Sequence, residues 1–137
     1  MLTRAIEIAV EAHRGQVDKC KEPYILHPLA VMTAMDTHAE KIVAVLHDVI
    51  EDTDHSLLDL NLEGFSENII DAIDAITKRD NETYFEYINR VKENPLATKV
   101  KLADLKHNSL LERQFEKSGG LIERYLKAYR ILKGENE

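Results

Sequence analysis

Apolar residues recur along most of this chain at spacings of three and four, and the breaks between apolar stripes fall at glycines, prolines and capping residues, a pattern that predicts helices. The first run, from about Thr3 to Arg14, sets Ile6, Val10 and His13 on one stripe and stops at Gly15. The segment DKCKEPYIL reads as a loop leading into an extended piece, because Pro23 and Pro28 each bias the preceding residue away from helix. Pro28 then opens a second helix, PLAVMTAMDT, with His27 just outside it. A third helix runs from about Ala39 to Glu51. The connection DHSLLDLNLE has room for one helical turn, and Ser66 can cap the following helix, ENIIDAIDAITK. Thr83 and Glu86 have capping-box spacing at the head of TYFEYINRVKE. Asn94 and Pro95 serve as cap and first residue of PLATKVKLADLKHNSLLERQ, and Gly119 and Gly120 separate it from a final helix, LIERYLKAYRIL. The expected fold is all-α, a bundle of about six to eight helices with no repeat or linker dividing it.

A chain of 137 residues suits one domain, here residues 1–137. With 44% hydrophobic and 31% charged residues it has the composition of a folded globular protein and not of a disordered one. No apolar run approaches the roughly 18 residues that would span a bilayer, and no secretory leader is evident, so the expected location is the cytoplasm. The only cysteine, Cys20, lies in the polar stretch VDKCKE and reads as an ordinary exposed thiol. A formal charge of −7 argues against a broad grip on nucleic acid or anionic membrane and leaves room for a small anionic ligand where the field is locally reversed.

The stretch VLHDVIEDTD places Asp48, Glu51, Asp52 and Asp54 at the end of an apolar helical run. If that run is continuous, Asp48 and Asp52 stand one turn apart on one face, and they lie near a C-terminus whose dipole favours cations. A bound cation would offset this repulsion. Ligands for it are available at His27, at the adjacent pair His47 and Asp48, and at Asp104, with Asn108 one turn further on. Two imidazoles and two carboxylates would leave positions open on a six-coordinate ion, as a catalytic site requires. The competing structural reading has His27 bonding a backbone carbonyl and Asp104 on the exposed side of a helix whose stripe is Val100, Ala103 and Leu110. Of the other histidines, His13 reads as a hydrogen-bonded core residue, His38 and His55 as surface or capping residues, and His107 points away from both Asp104 and Asn108.

Taken in order, AHRGQVDKCKEPYILHPLAV, VLHDVIEDT and VKLADLKHN resemble the HD-domain hydrolases of the RelA/SpoT group and their small single-domain relatives, over about residues 5 to 130. The resemblance implies an HD-fold helical bundle and a metal-dependent phosphohydrolase that removes the 3′-pyrophosphate of the alarmone (p)ppGpp, giving GDP or GTP. It implies one divalent ion, usually Mn2+, on His27, His47, Asp48 and Asp104. It further implies that Glu51 and Asp52 position and activate the attacking water, whose acidity a metal would raise. Asn108 and Lys19 would contact the nucleotide, Tyr125 would match a tyrosine on the last helix, and Lys101 and Lys19 could neutralise charge on the departing group. No synthetase domain is expected. Asp18 stands where an arginine usually packs against guanine, so a planar cation is replaced by an anion. That departure keeps open a second reading, the same chemistry on another phosphorylated nucleotide or dinucleotide. A third reading is a sensor module that binds nucleotide or metal without turnover.

Overall fold

Local chemistry at the chain's polar punctuation fixes where each helix starts and stops. The computed structural model describes residues 1–114 and 121–134. Among the described residues there are nine helices: α1 Leu2–Ala12, α2 Leu26–Thr33, α3 His38–Leu46, α4 Val49–Asp52, α5 Leu57–Leu62, α6 Glu67–Ile76, α7 Tyr84–Lys92, α8 Pro95–Gln114 and α9 Leu121–Lys133. Only a two-residue break separates α3 from α4; counted as one, they give eight. Beyond helices the described residues hold one isolated bridge, Val17 to Pro23, closing the loop between α1 and α2. The Gly119–Gly120 separator lies outside the described residues.

Capping boxes start α3 (Thr37 with Glu40), α5 (Ser56 with Asp59) and α7 (Thr83 with Glu86), each satisfying two backbone donors that would otherwise lack partners. Asn94 Oδ1 accepts from Ala97 N at 2.9 Å and so caps α8, as its spacing predicts. Ser66 holds the N-cap position of α6, but its hydroxyl makes no capping bond.

Helix α3 is the centre of the bundle. Ile42 through Leu46 are all buried, and α3 packs against α1, α2, α6 and α8. A helix apolar on every side must be covered on every side. On α1 the buried residues are Ala5, Ile8 and Ala9, followed by the buried His13 at its C-cap, whereas Val10 is 41% exposed. The inward stripe is therefore displaced from the expected Ile6–Val10–His13 line, and its alanines leave room for close approach to α3.

Two further differences bear on function. First, α2 begins at Leu26, so His27 is inside the first turn and Pro28 is its third residue. Proline fits there because none of the first four N–H groups of a helix has an intrahelical partner. Second, the expected helix from Ala39 to Glu51 breaks at His47 and Asp48. His47 Nδ1 donates to Ala44 O at 2.5 Å, competing with the helical pattern, and Asp48 becomes the N-cap of α4. Glu51 and Asp52 thus belong to a separate single turn, α4, whose last residue is Asp52, so no long helix dipole acts on them and their mutual repulsion remains.

Candidate metal centre and active site

Four helices deliver the candidate ligands: α2 brings His27, the α3–α4 break brings His47 and Asp48, and α8 brings Asp104. Donor atoms from all four residues lie within 4.8 Å of one another. His27 Nε2 is 2.8 Å from Asp104 Oδ1 and 3.8 Å from Asp48 Oδ2; His47 Nε2 is 3.0 Å from Asp48 Oδ2 and 3.2 Å from Asp104 Oδ1. Around an ion with bonds of about 2.1 Å, neighbouring octahedral donors are about 3.0 Å apart and opposite ones about 4.2 Å. Three of the four measured separations fall in that range, and the His27–Asp104 pair, at 2.8 Å, would have to open slightly to admit the ion.

The protonation pattern shows why a cation fits. A carbonyl only accepts, so the bond to Ala44 O leaves the proton of neutral His47 on Nδ1 and turns the Nε2 lone pair toward two carboxylates. Three acceptors cannot face each other without a positive charge among them. A metal supplies it, or else a second proton on His47 does. Burial opposes that proton, but Asp48 and Asp104 outweigh burial and hold His47 well above the ordinary histidine range. In the same way Asp48, despite burial, is held at about 2 by His47, and Asp104 well below the usual carboxylate range by Lys101 and His47. These residues could hold a divalent ion with little rearrangement.

Asp104 is 3% exposed, which removes the alternative that placed it on an outer face. Lys101 Nζ binds its Oδ2 at 2.8 Å, and Asn108 Nδ2 donates to its Oδ1 at 3.2 Å. Two of the four residues expected at the substrate, Lys101 and Asn108, therefore also orient the Asp104 carboxylate.

Glu51 and Asp52 stand beside the cluster. Glu51 Oε1 accepts the Lys78 backbone N–H just beyond α6. Burial raises the proton affinity of Glu51, the Lys78 amide lowers it in part, and the charge of Asp48 adds to the rise; burial and Asp48 do the same for Asp52. Each is thus a better proton acceptor than a carboxylate in water.

Three neighbours escape a reading from spacing alone. Tyr24 donates its hydroxyl to Asp48 Oδ2 at 2.5 Å. His107 Nδ1 lies 2.7 Å from His27 Nδ1, with the rings stacked at 4.9 Å. The expectation gave it no role; its partner is on α2, and the Asp104 charge also acts on it. Gln16 joins the His13 Nδ1 (2.7 Å) to the Asp52 carbonyl (3.0 Å), so the core histidine has one satisfied nitrogen while its buried Nε2 has no partner among the described residues.

The remaining expected contacts are distributed around this centre. Lys19 is exposed on the loop between α1 and α2. Tyr125 lines a cleft between α8 and α9 of about 270 Å3, together with Leu105, Leu126 and Tyr129. Asp18 Oδ1 accepts from the Cys20 and Glu22 amides at 2.8 and 3.0 Å, and Lys21 takes φ of 64° in the same turn. The carboxylate that replaces arginine therefore has a structural task, holding its own loop closed.

No family model matches the chain. It is 36% identical, across 78% of its length, to a GTP pyrophosphokinase of Streptomyces coelicolor. Across 75% of its length it is 35% identical to the guanosine-3′,5′-bis(diphosphate) 3′-pyrophosphohydrolase of Aquifex aeolicus, and across 78% it is 31% identical to the bifunctional (p)ppGpp synthase/hydrolase SpoT of Escherichia coli. The chain spans only 14%, 16% and 17% of these three relatives. A solved structure of a metazoan ortholog of SpoT that hydrolyzes ppGpp has the same fold, with a TM-score of 0.79 over 98% of this chain and 86% of the other, at 23% identity. Sequence and fold together place the chain among the HD-domain proteins that resemble the RelA/SpoT hydrolases.

Proposed function

We propose that this chain is a divalent-metal-dependent phosphohydrolase that cleaves the 3′-pyrophosphate from (p)ppGpp, releasing pyrophosphate and GDP or GTP, with Mn2+ as its ion. The observation that carries this reading is the convergence of His27, His47, Asp48 and Asp104 with two further carboxylates of raised proton affinity beside them. A purely structural cluster would have no use for Glu51 and Asp52 so close to Asp48. The name of the Aquifex relative supports the substrate.

In this reading His27, His47, Asp48 and Asp104 hold the ion, which supplies Lewis acidity and a more acidic water. Tyr24, His107 and Asn108 fix the orientation of those ligands through the bonds described above. Glu51, anchored by Lys78 through one oxygen, keeps the other to accept the proton of the attacking water, with Asp52 sharing the position. The water oxygen bonds to phosphorus, the bond to the 3′-oxygen breaks, that oxygen takes up a proton from solvent to become the 3′-hydroxyl, and Lys101 offsets charge on the departing group. A cytoplasmic setting agrees with the single exposed thiol.

Asp18 favours a second reading, the same reaction on another phosphorylated nucleotide, since an anion bonded to its own loop cannot replace a guanine-stacking arginine. Chromatography with mass detection after incubating metal-stripped protein with ppGpp, with and without Mn2+, tests both. GDP and pyrophosphate formed only with Mn2+ are the expected result. Intact ppGpp together with turnover of another nucleotide in a panel would select the second reading, and silence across the panel would refute hydrolysis.

A further inference from the structure

On α7, Tyr84 and Tyr87 are three residues apart and share a side. They differ in one respect. Tyr87 is 3% exposed and donates its hydroxyl to Ile76 O, whereas the buried hydroxyl of Tyr84 has no partner among the described residues. Leaving a buried donor unpaired is unfavourable, so such a group is expected to meet something. Two cations, Lys101 and Arg124, and one carboxylate, Asp104, act on it, and Lys101 already pairs with Asp104. The guanidinium of Arg124, from α9, sits 4.5 Å from the centre of the Tyr84 ring and 5.6 Å from that of Tyr125. Lys101 lies 5.3 Å from the Tyr87 ring centre, and both cations are close enough to act electrostatically on the Tyr84 hydroxyl. Stacking over rings engages the face of a guanidinium and leaves its N–H edge for an acceptor, and the described residues give Arg124 no acidic partner. With the charges of Lys101 and Asp104 offsetting each other, the guanidinium of Arg124 and the phenolic donor together leave net positive potential for an anion.

We propose that Tyr84, Arg124 and Lys101 form a phosphate-binding subsite beside the metal centre, where they hold the phosphate groups of the substrate that are not under attack. Lys101 connects the two places, since its ammonium binds Asp104 and also reaches the Tyr87 hydroxyl, one turn from Tyr84. The identity of the occupant rests on the nucleotide-hydrolase reading; the existence of the anion site does not. Tyr84 stays protonated and able to donate, because burial raises its proton affinity more than the two cations lower it.

Inorganic pyrophosphate titrated calorimetrically into the metal-free full chain tests the subsite without turnover. Arg124→Gln is expected to weaken binding by about tenfold to a hundredfold, the range for losing charge-assisted hydrogen bonds. Tyr84→Phe, which keeps the ring and its packing, should weaken it by about fivefold or more. Lys127→Gln removes a neighbouring cation stacked 4.3 Å over Phe85 and should leave binding unchanged. Failure of the wild type to bind, or equal binding by the wild type, Arg124→Gln and Tyr84→Phe, overturns the proposal. Arg124-dependent binding in a protein that hydrolyses no nucleotide would support the subsite and refute the hydrolase reading; ppGpp turnover with pyrophosphate binding indifferent to Arg124 would do the reverse.

Discussion

Metal binding should stabilise the fold by an amount that depends on pH, because His47 in the metal-free protein carries a proton that the ion must displace. The perturbation is removal of the ion by a chelator and return of Mn2+ at a fixed excess. At about 1,000 times the dissociation constant, binding to the folded state alone contributes about 4.1 kcal/mol. With an unfolding entropy of about 2.1 cal/mol/K per residue, a chain of 137 residues has about 0.29 kcal/mol/K, so each kcal/mol moves Tm by about 3.5 °C and the full effect is about 14 °C. His47 is raised well above the ordinary histidine range by Asp48 and Asp104, so it is protonated in the metal-free protein throughout mildly acidic conditions. Each unit of pH lowered in that range costs the ion about 1.4 kcal/mol of competition with the proton, or roughly 5 °C of the shift at fixed Mn2+. Thermal unfolding followed by circular dichroism at about pH 6 and about pH 7, with and without Mn2+, measures both terms. A Tm shift equal at the two pH values, or one that survives Asp48→Ala, would refute the argument that His47 and the two aspartates form the site.

Glu51→Gln should keep Mn2+ binding, measured by titration, while lowering kcat by about a hundredfold or more, since the amide cannot accept the proton; an active variant would remove Glu51 from the role of base. Asp18→Arg, which family resemblance alone would recommend for better ppGpp turnover, is expected to lower kcat/KM, because it removes the acceptor for the Cys20 and Glu22 amides; a gain in kcat/KM would show that the loop tolerates the loss. Glu82 is held at about 2, chiefly by its bond to Arg90, which also donates to the Ala75 and Thr77 carbonyls at the end of α6. Its folded value lies below its unfolded one, so its stabilisation is complete above the unfolded value of about 4.3 and is lost as pH falls toward 2. Glu82→Gln should therefore cost about 1 kcal/mol in urea unfolding at neutral pH, with the difference from the parent shrinking below about pH 4.

Much of the fold was legible because its signals are local. The Thr83–Glu86 box, the Asn94 cap and the apolar period each act within a few residues, and α8 runs over Pro95–Gln114 as the sequence suggests. The break at His47 and Asp48 was not legible, since it depends on a side chain bonding back to Ala44 and on tertiary partners for the imidazole thus released. Nor was the inward stripe of α1, where periodicity allowed two neighbouring faces and contact with α3 selected the one bearing alanines.

For the site, the sequence by itself determined which residue types were present and in what order: two histidines and two aspartates in three motifs, and carboxylates too close together for an ordinary helix. Only the tertiary structure decided that residues as far apart as His27 and Asp104 meet at 2.8 Å, that Asp104 is buried, and that Tyr24, His107 and Lys78 complete the surroundings. It also decided that Asp18 holds a loop and that Arg124 crosses from α9 to the Tyr84 ring of α7. The division has a physical reason. Hydrogen bonding and periodicity along a helix act over about four residues, whereas a metal centre depends on side chains brought together by packing, and one face of a helix does not specify which other helix will cover it.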